Sequence, residues 1–331
     1  MEILILGGTA WVGRETARQA LARGHEVSCL ARGESGPVAN GAKLIRADRR
    51  LKGAYEESRG KQWDAVVEIS WQPGMVREAL AALSDRARHW IYVSSGNVYA
   101  SHAVRGTDET GELLAPTELD EVDTDLYSEA KVACELASRE ARAGGLLIAR
   151  SGLIGGPGDA SDRTGYWVAR AARDPLSPML VPDAPDASAQ AIDVRDLTSW
   201  MLDCAEQEIE GVYDVVGQVM RLDEWIESSR AVGGHTGEVV RADQEWLLAQ
   251  GVAEFMGPDS LPLWLADPEY EGFLTRTAAR AAADGLRRRS LFDTLRDTLE
   301  WERDQGLDRE RKTGISAERE TELLASWNAH E

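Results

Sequence analysis

Glu2-Ile3-Leu4-Ile5-Leu6-Gly7-Gly8-Thr9-Ala10-Trp11-Val12-Gly13 passes from a short apolar run, through a glycine turn, into a helical pattern over 12–23. A dinucleotide-binding turn needs that context. Gly7 allows the tight turn. Amides near Thr9 to Val12 would point at a pyrophosphate, where a helix start carries partial positive charge. Gly13 lets the helix pack close to the strand. The expected cofactor contacts here are therefore Gly7, Gly8, Thr9, Ala10, Trp11, Val12 and Gly13. A glycine string alone would fit a plain strand-to-helix turn equally well; the flanking strand and helix favour the cofactor. Gly-x-x-Gly-x-x-Gly spacing would put glycine at 10. Ala10 stands there instead, and its methyl is tolerated only at negative φ.

The same alternation continues downstream. Glu26–Ala31, 42–46, 64–69, 89–94 and 146–150 read as strands, with helical patterns around 75–83 and over 127–143. Continuous Val, Ile and Leu runs between helices mean strands buried on both faces, hence a parallel sheet. The expected fold is α/β: a Rossmann-type doubly wound parallel sheet with a smaller C-terminal substrate-binding region. Residues 1–155 would form the NAD(P)-binding domain, and 188–216, with short strands at 192–194 and 212–215, would return to it. Residues 156–187 and 217–315 would form the substrate-binding region. Within it 174–188, carrying Pro175, Pro178, Pro182 and Pro185, reads as an ordered loop or lid. Helices are expected near 222–232, 245–250 and 291–303. Leu323, Leu324 and Trp327 recur at helical spacing, so 316–331 reads as an amphipathic helix docked on the body.

Composition narrows the function classes. With 37 Lys plus Arg and 57 Asp plus Glu among 331 residues, the net charge is −20. That balance argues against general affinity for nucleic acid or an anionic membrane, but not against a locally positive pocket. Cys29, Cys134 and Cys204 stand singly, without metal-ligand spacing, so no metal site is expected and a reducing, cytoplasmic setting is. The apolar N-terminal run is too short for a signal peptide or a membrane span.

The end of the second strand bears on the cofactor. It reads Leu30-Ala31-Arg32, with no acid until Glu34. A carboxylate there would bond the ribose 2′-hydroxyl of NAD; an arginine suits a 2′-phosphate, so NADP is preferred over NAD. Asp48, past the third strand, is placed to meet the adenine edge, and Ser70, past the fourth, joins the cofactor set. In Tyr127-Ser128-Glu129-Ala130-Lys131, positions i and i+4 share a helix face. A free phenol has a pKa of about 10, and lowering it by ~3 units takes ~4 kcal/mol of selective phenolate stabilisation. The Lys131 ammonium and a nicotinamide cation would supply that together. Ser95 ends the 89–94 strand at the edge where parallel sheets bind ligands, placed to hold a substrate oxygen.

The order of glycine turn, strand-end serine and Tyr-x-x-x-Lys resembles the short-chain dehydrogenase/reductase superfamily, in its extended and atypical branch of NAD-dependent epimerase/dehydratase-like proteins. The resemblance covers nearly the whole chain. Tyr92-Val93-Ser94-Ser95-Gly96-Asn97-Val98-Tyr99 is similar to its serine motif, 150–159 to the segment entering the substrate region, and 191–196 to a later strand-to-helix motif. Gly7 to Gly13, written GGxxxxG, is most like its atypical group. The resemblance implies hydride transfer at a carbonyl or hydroxyl of a small molecule, a nucleotide sugar being one option. Tyr127 would be the general acid/base, Ser95 would orient the oxygen, and Lys131 would tune Tyr127 and hold the cofactor ribose. Three departures limit this. Gly96 and Asn97 stand where the sugar 4,6-dehydratases carry an Asp-Glu pair, so that chemistry is not expected. Trp71 lies in a usually Ala-rich segment, and no clear Asn stands where many relatives relay protons. The other class of function is a non-catalytic NAD(P)-binding sensor or scaffold. A homodimer is compatible with either.

On the substrate side, eleven tryptophans stand against three phenylalanines. Trp90, Trp200, Trp225 and Trp301 read as core or helix-docking residues. Trp71 and Trp167 fall in segments expected to border the cleft, where an indole would stack on a nucleobase or aromatic substrate. Gly96 and Asn97 follow Ser95 into the same region. Arg163 and Arg195 are the anion partners if the substrate carries a diphosphate. His102, beyond the serine motif, is a further residue that would face the cleft. Reductase and epimerase are not separable from these residues.

Overall fold

Apolar runs too continuous for a one-faced sheet become strands covered on both sides. In the computed structural model, which describes residues 1–330, β1 (Glu2–Leu6) leads into α1 (Trp11–Ala22). Then come β2 (Glu26–Ala31), β3 (Lys43–Arg46), a short α2 (Glu56–Arg59), β4 (Trp63–Glu68) and α3 (Pro73–Leu83). β5 (Ala87–Ser95), α4 (Tyr127–Ala141) and β6 (Leu146–Ser151) complete the first half. The second half opens with β7 (Ile154–Gly155), α5 (Tyr166–Arg173), β8 (Met179–Pro182), β9 (Ser188–Ala189) and β10 (Ile192–Asp193). It continues with α6 (Val194–Gln207), β11 (Gly211–Val215), β12 (Met220–Arg221), α7 (Leu222–Gly233) and β13 (Val239–Ala242). α8 (Gln244–Ala249), β14 (Ala253–Phe255), β15 (Ser260–Pro262), α9 (Ala279–Ala283), α10 (Leu291–Gln305) and α11 (Ala317–Asn328) finish the chain.

Seven strands form one parallel sheet in the order β11-β6-β5-β4-β1-β2-β3. The period of two divides β1 cleanly. Ile3 and Ile5 join the core beneath α1 and α6, whereas Leu4 and Leu6 join the core beneath α3 and α4. All four are fully buried, each contributing roughly 1.5–3 kcal/mol. The order of connection reverses at β1, which has β2 on one side and β4 on the other. That reversal opens a crevice beyond the carboxyl ends of the strands, the usual ligand position in such sheets. α6 packs on α1, with the Gln19 amide donating to the Arg195 carbonyl at 2.9 Å and to Thr198 Oγ1 at 2.7 Å. Cys29, Cys134 and Cys204 are buried free thiols.

A second core gathers Trp167, Trp225, Trp246, Trp264 and Trp327 from α5, α7, α8, the segment after β15, and α11. α11 docks through Leu323 and through Trp327, whose ring lies 4.9 Å from Trp246. Glu331, the last residue of the helix expected over 316–331, lies outside the described residues. The expectation of a loop or lid over 174–188 needs correcting. Met179, Leu180 and Val181 are buried in β8 and pair in parallel with Val239–Ala242. Pro178 and Pro182 bracket a short apolar triplet, and a strand that pairs on one side only tolerates proline at its end. Among the described residues no helix is long and apolar enough to cross a membrane, and no group of three or more His, Cys, Asp or Glu could hold a metal ion.

Candidate functional site

The glycine turn is built by close approach. Gly7 adopts φ +111°, and its amide donates to the Leu30 carbonyl at 3.0 Å. A Cβ on Gly13 would lie 2.4 Å from the Gly7 carbonyl oxygen, and one on Gly8 would lie 2.3 Å from Cys29 Sγ. Ala10 is the N-cap of α1 at φ −82°, so its methyl is accommodated, and it makes no side-chain cap bond. The first-turn amides are left for a ligand. Trp11 points away, its Nε1 donating to the Pro157 carbonyl at 2.8 Å. Gly7, Thr9, Ala10, Arg32, Asp48 and Met75 line a cleft of about 300 Å³ that runs from this turn past the end of β2. Its glycine cradle and uncapped helix start suit a pyrophosphate, so the residues present fit a dinucleotide.

The far end of the cleft is rich in arginine. Arg32 is half exposed and pairs with Glu34 at 3.1 Å. Arg46 Nη1 donates to the Arg32 carbonyl at 3.0 Å. Asp48 is held in a two-pronged pair by Arg50, with a closest approach of 2.6 Å, and Arg50's hydrogen bonds lower its carboxyl to about 2. It lines the cleft already engaged. Arg46 and Arg50 were missed in the sequence, although Arg46-Ala47-Asp48-Arg49-Arg50 is visibly basic at a strand end. Beneath, Arg49 donates to Glu68 Oε1 at 2.9 Å and to the Tyr55 hydroxyl at 2.9 Å, both buried. Glu68 also accepts from the Ser70 amide at 2.8 Å, which fixes the turn after β4.

Tyr127 opens α4, and Lys131 follows one turn later. Lys131 Nζ donates to the Val93 carbonyl at 2.7 Å and to the Ile69 and Ser70 carbonyls at 3.3 and 3.4 Å. It lies 6.0 Å from the Tyr127 ring centre. Trp71 packs against Tyr127 with ring centres 5.5 Å apart. Ser95 ends β5, and its Oγ accepts from the Asn97 amide at 3.2 Å. Gly96 is buried beside it. The fold thus brings Ser70, Trp71, Tyr127 and Lys131 to the carboxyl ends of β4 and β5. One feature gave no sequence signal. The Gln72 side-chain amide donates to the Val122 carbonyl and accepts from the Val122 amide, both at 2.9 Å. This clip holds the segment before α4 against the start of α3.

Two expected substrate contacts are corrected. Trp167 is fully buried in the second core, with Nε1 donating to the Pro262 carbonyl at 2.9 Å. The register of α5 turns it inward. Arg195 is taken up by internal ion pairs. It pairs with Asp193 at 2.7 Å and Asp297 at 2.5 Å, in a pocket on the α1/α6 flank that shares no residue with the dinucleotide cleft. Arg163 differs. Its Nε donates to Ser161 Oγ at 3.0 Å, and its guanidinium lies 5.5 Å from the Phe255 ring centre. No carboxylate pairs with it among the described residues. Burial holds it below the usual arginine range, with Asp159 and Tyr127 pulling the other way. His102 stacks on Tyr270 at 5.9 Å and meets Phe273 edge-on at 4.9 Å.

The family model described as the NAD dependent epimerase/dehydratase family matches residues 3–215. Photosystem II assembly factor Ycf39 of Trieres chinensis is 32% identical over 116 residues, 30% of this chain and 35% of that protein. The match therefore spans about a third of that relative's length. Among solved structures, a candidate epimerase from Burkholderia cenocepacia superposes with a TM-score of 0.72 at 22% identity, covering 92% of this chain and 98% of its own. UDP-glucose 4-epimerase of Bifidobacterium longum, in complex with NAD+ and UDP, gives 0.66 at 17% identity, over 92% and 98%. An NDP-hexosamine 5,6-dehydratase of tunicamycin biosynthesis gives 0.66 at 19%, over 93% and 99%. At these identities the structural likeness is one of fold.

Proposed function

The chain belongs to the NAD dependent epimerase/dehydratase family, and from that premise we propose an NAD(P)-dependent oxidoreductase or epimerase acting at a carbonyl or hydroxyl carbon of a small molecule. The observation that carries it is the placement of Tyr127 and Lys131 on one turn of α4, beside Ser70 at the strand ends that border the glycine-turn crevice. The complex of a similar fold with NAD+ and UDP supports a nicotinamide cofactor.

The nicotinamide group, when bound, supplies a hydride acceptor and donor. Ser95 Oγ orients the substrate oxygen. The Tyr127 oxygen would take the O–H proton as a substrate carbinol is oxidised to a carbonyl, and would return it in the reverse direction. The Lys131 ammonium, fixed by three carbonyls, stands one helix turn from Tyr127, placed to meet the cofactor ribose. Arg32 and Arg46 favour NADP over NAD. We also propose the division of labour in which 1–155 and 188–216 hold the cofactor while 156–187 and 217–315 hold the substrate. Neither Gly96 nor Asn97 offers an acid for 4,6-dehydration. The partial likeness to an assembly factor supports the second reading, a non-catalytic NAD(P)-binding scaffold.

The test is a carbonyl and hydroxyl substrate panel on cofactor-loaded protein. Tyr127→Phe is expected to lower turnover by roughly 10²–10⁴-fold with cofactor affinity unchanged. Full activity in that variant would overturn the mechanism in favour of the scaffold.

A further inference from the structure

We propose, resting on the hydride-transfer reading, that the substrate is a small aromatic acid with a single negative charge. Its carboxylate would meet Arg163 and its ring would lie against Phe255 and Phe273.

The charge argument comes first. A largely desolvated guanidinium without a carboxylate is costly unless a ligand completes it. Arg163 is half-buried and has no carboxylate partner among the described residues. Its Nε is occupied by Ser161 Oγ. Asp159, the acid that bears on it, is already engaged, accepting from Ser161 Oγ at 2.5 Å and from Thr164 Oγ1 at 2.9 Å. The two terminal nitrogens make no hydrogen bond among the described residues, and their parallel N–H groups match a carboxylate.

A single guanidinium at this wall favours one anionic group over the two of a nucleoside diphosphate. Other arginines of the second half are engaged internally. Arg276 holds Asp214 at 2.7 Å, Arg195 holds Asp193 and Asp297, and Arg311 holds Glu302 at 2.8 Å. The open fork of Arg163 answers one anionic group.

The surroundings of Arg163 are aromatic. Phe255 and Phe273 meet edge to face at 5.5 Å, and His102 extends the wall at 4.9 Å from Phe273. Two of the chain's three phenylalanines are gathered here. Phe255 sits at φ +62°, a conformation unfavourable for a bulky residue and found where a site dictates side-chain position.

Calorimetry on NADP-saturated protein tests this with 4-(hydroxymethyl)benzoate, its methyl ester and UDP-glucose as probes. NADP binding is measured first, so loss of the cofactor reading is seen separately. The acid is expected to bind at least ~30-fold more tightly than the ester, about 2 kcal/mol, and Arg163→Met is expected to remove that difference. UDP-glucose is expected to bind more weakly than the acid. Equal affinity for acid and ester in the wild type, no binding of the acid, tighter binding of UDP-glucose, or an unchanged preference in a folded Arg163→Met would each overturn the proposal. If UDP-glucose binds more tightly and is turned over, the hydride-transfer reading stands and the aromatic acid falls.

Discussion

The side chain of Arg46 donates to the carbonyl of Arg32, which lines the end of the cleft beyond β2. Their joint position predicts the cofactor. NADP should bind more tightly than NAD, and Arg32→Ala should narrow the gap by about tenfold, or about 1.4 kcal/mol. Arg46→Ala should narrow it further. Calorimetry with both dinucleotides checks this, and a tenfold preference of the wild type for NAD would refute it. Gly8→Asp is a poorer probe, because the added Cβ would run into Cys29 before any charge reached a phosphate. Tyr127 and Lys131 were legible in the sequence because their spacing is itself the geometry of a helix turn. Ser95 was legible because a strand's end is visible. Phe255, Phe273 and Arg163 as a group were not. They are far apart in sequence, and a left-handed φ at phenylalanine leaves no mark on the pattern of residues.

The elements of the sheet were readable for a related reason. Each is a short run of apolar residues between helices, and burial on both faces leaves little room for another assignment. β8 was hidden because prolines at 178 and 182 outweighed the three apolar residues between them. Its stability depends on α11. Glu320 of α11 accepts from Arg170 Nε at 2.5 Å and from the Leu180 amide at 3.1 Å, all buried. Glu320→Ala would leave a buried guanidinium and a strand amide without their acceptor. It should lower unfolding stability by about 3–5 kcal/mol, whereas Glu322→Ala, on an exposed carboxylate, should change it by less than about 0.5 kcal/mol. Urea unfolding of the two variants separates these outcomes, and equal effects would remove the role assigned to α11.

At the scale of the molecule, burial holds His89, His102 and His235 below the ordinary histidine value of 6.5. The folded chain keeps these rings neutral, while the unfolded chain protonates them as pH falls through about 6.5. Their contribution to stability is present above that value and lost below it. Asp214 acts in the opposite sense. Burial lifts it to about 6 against the pull of Arg276, so it takes up a proton in the folded state first. Asp214→Asn removes that opposing uptake. In this variant the melting temperature should fall between about pH 7.5 and pH 5.5, and a flat or rising profile there would refute the histidine contribution.

β11 has a consequence for how the protein comes to exist. It pairs with β6, yet residues 152–210 separate the two strands. During synthesis β6 waits on the ribosome with one edge bare while that intervening chain emerges. Such long-range parallel closure is slow, because loop entropy is lost before any pairing compensates for it. A nascent or truncated chain ending before 211 would display an apolar strand with unpaired amides, the form most prone to join another copy. The last strand of the sheet therefore acts as its stopper, and the window before it arrives is when this chain most needs a chaperone.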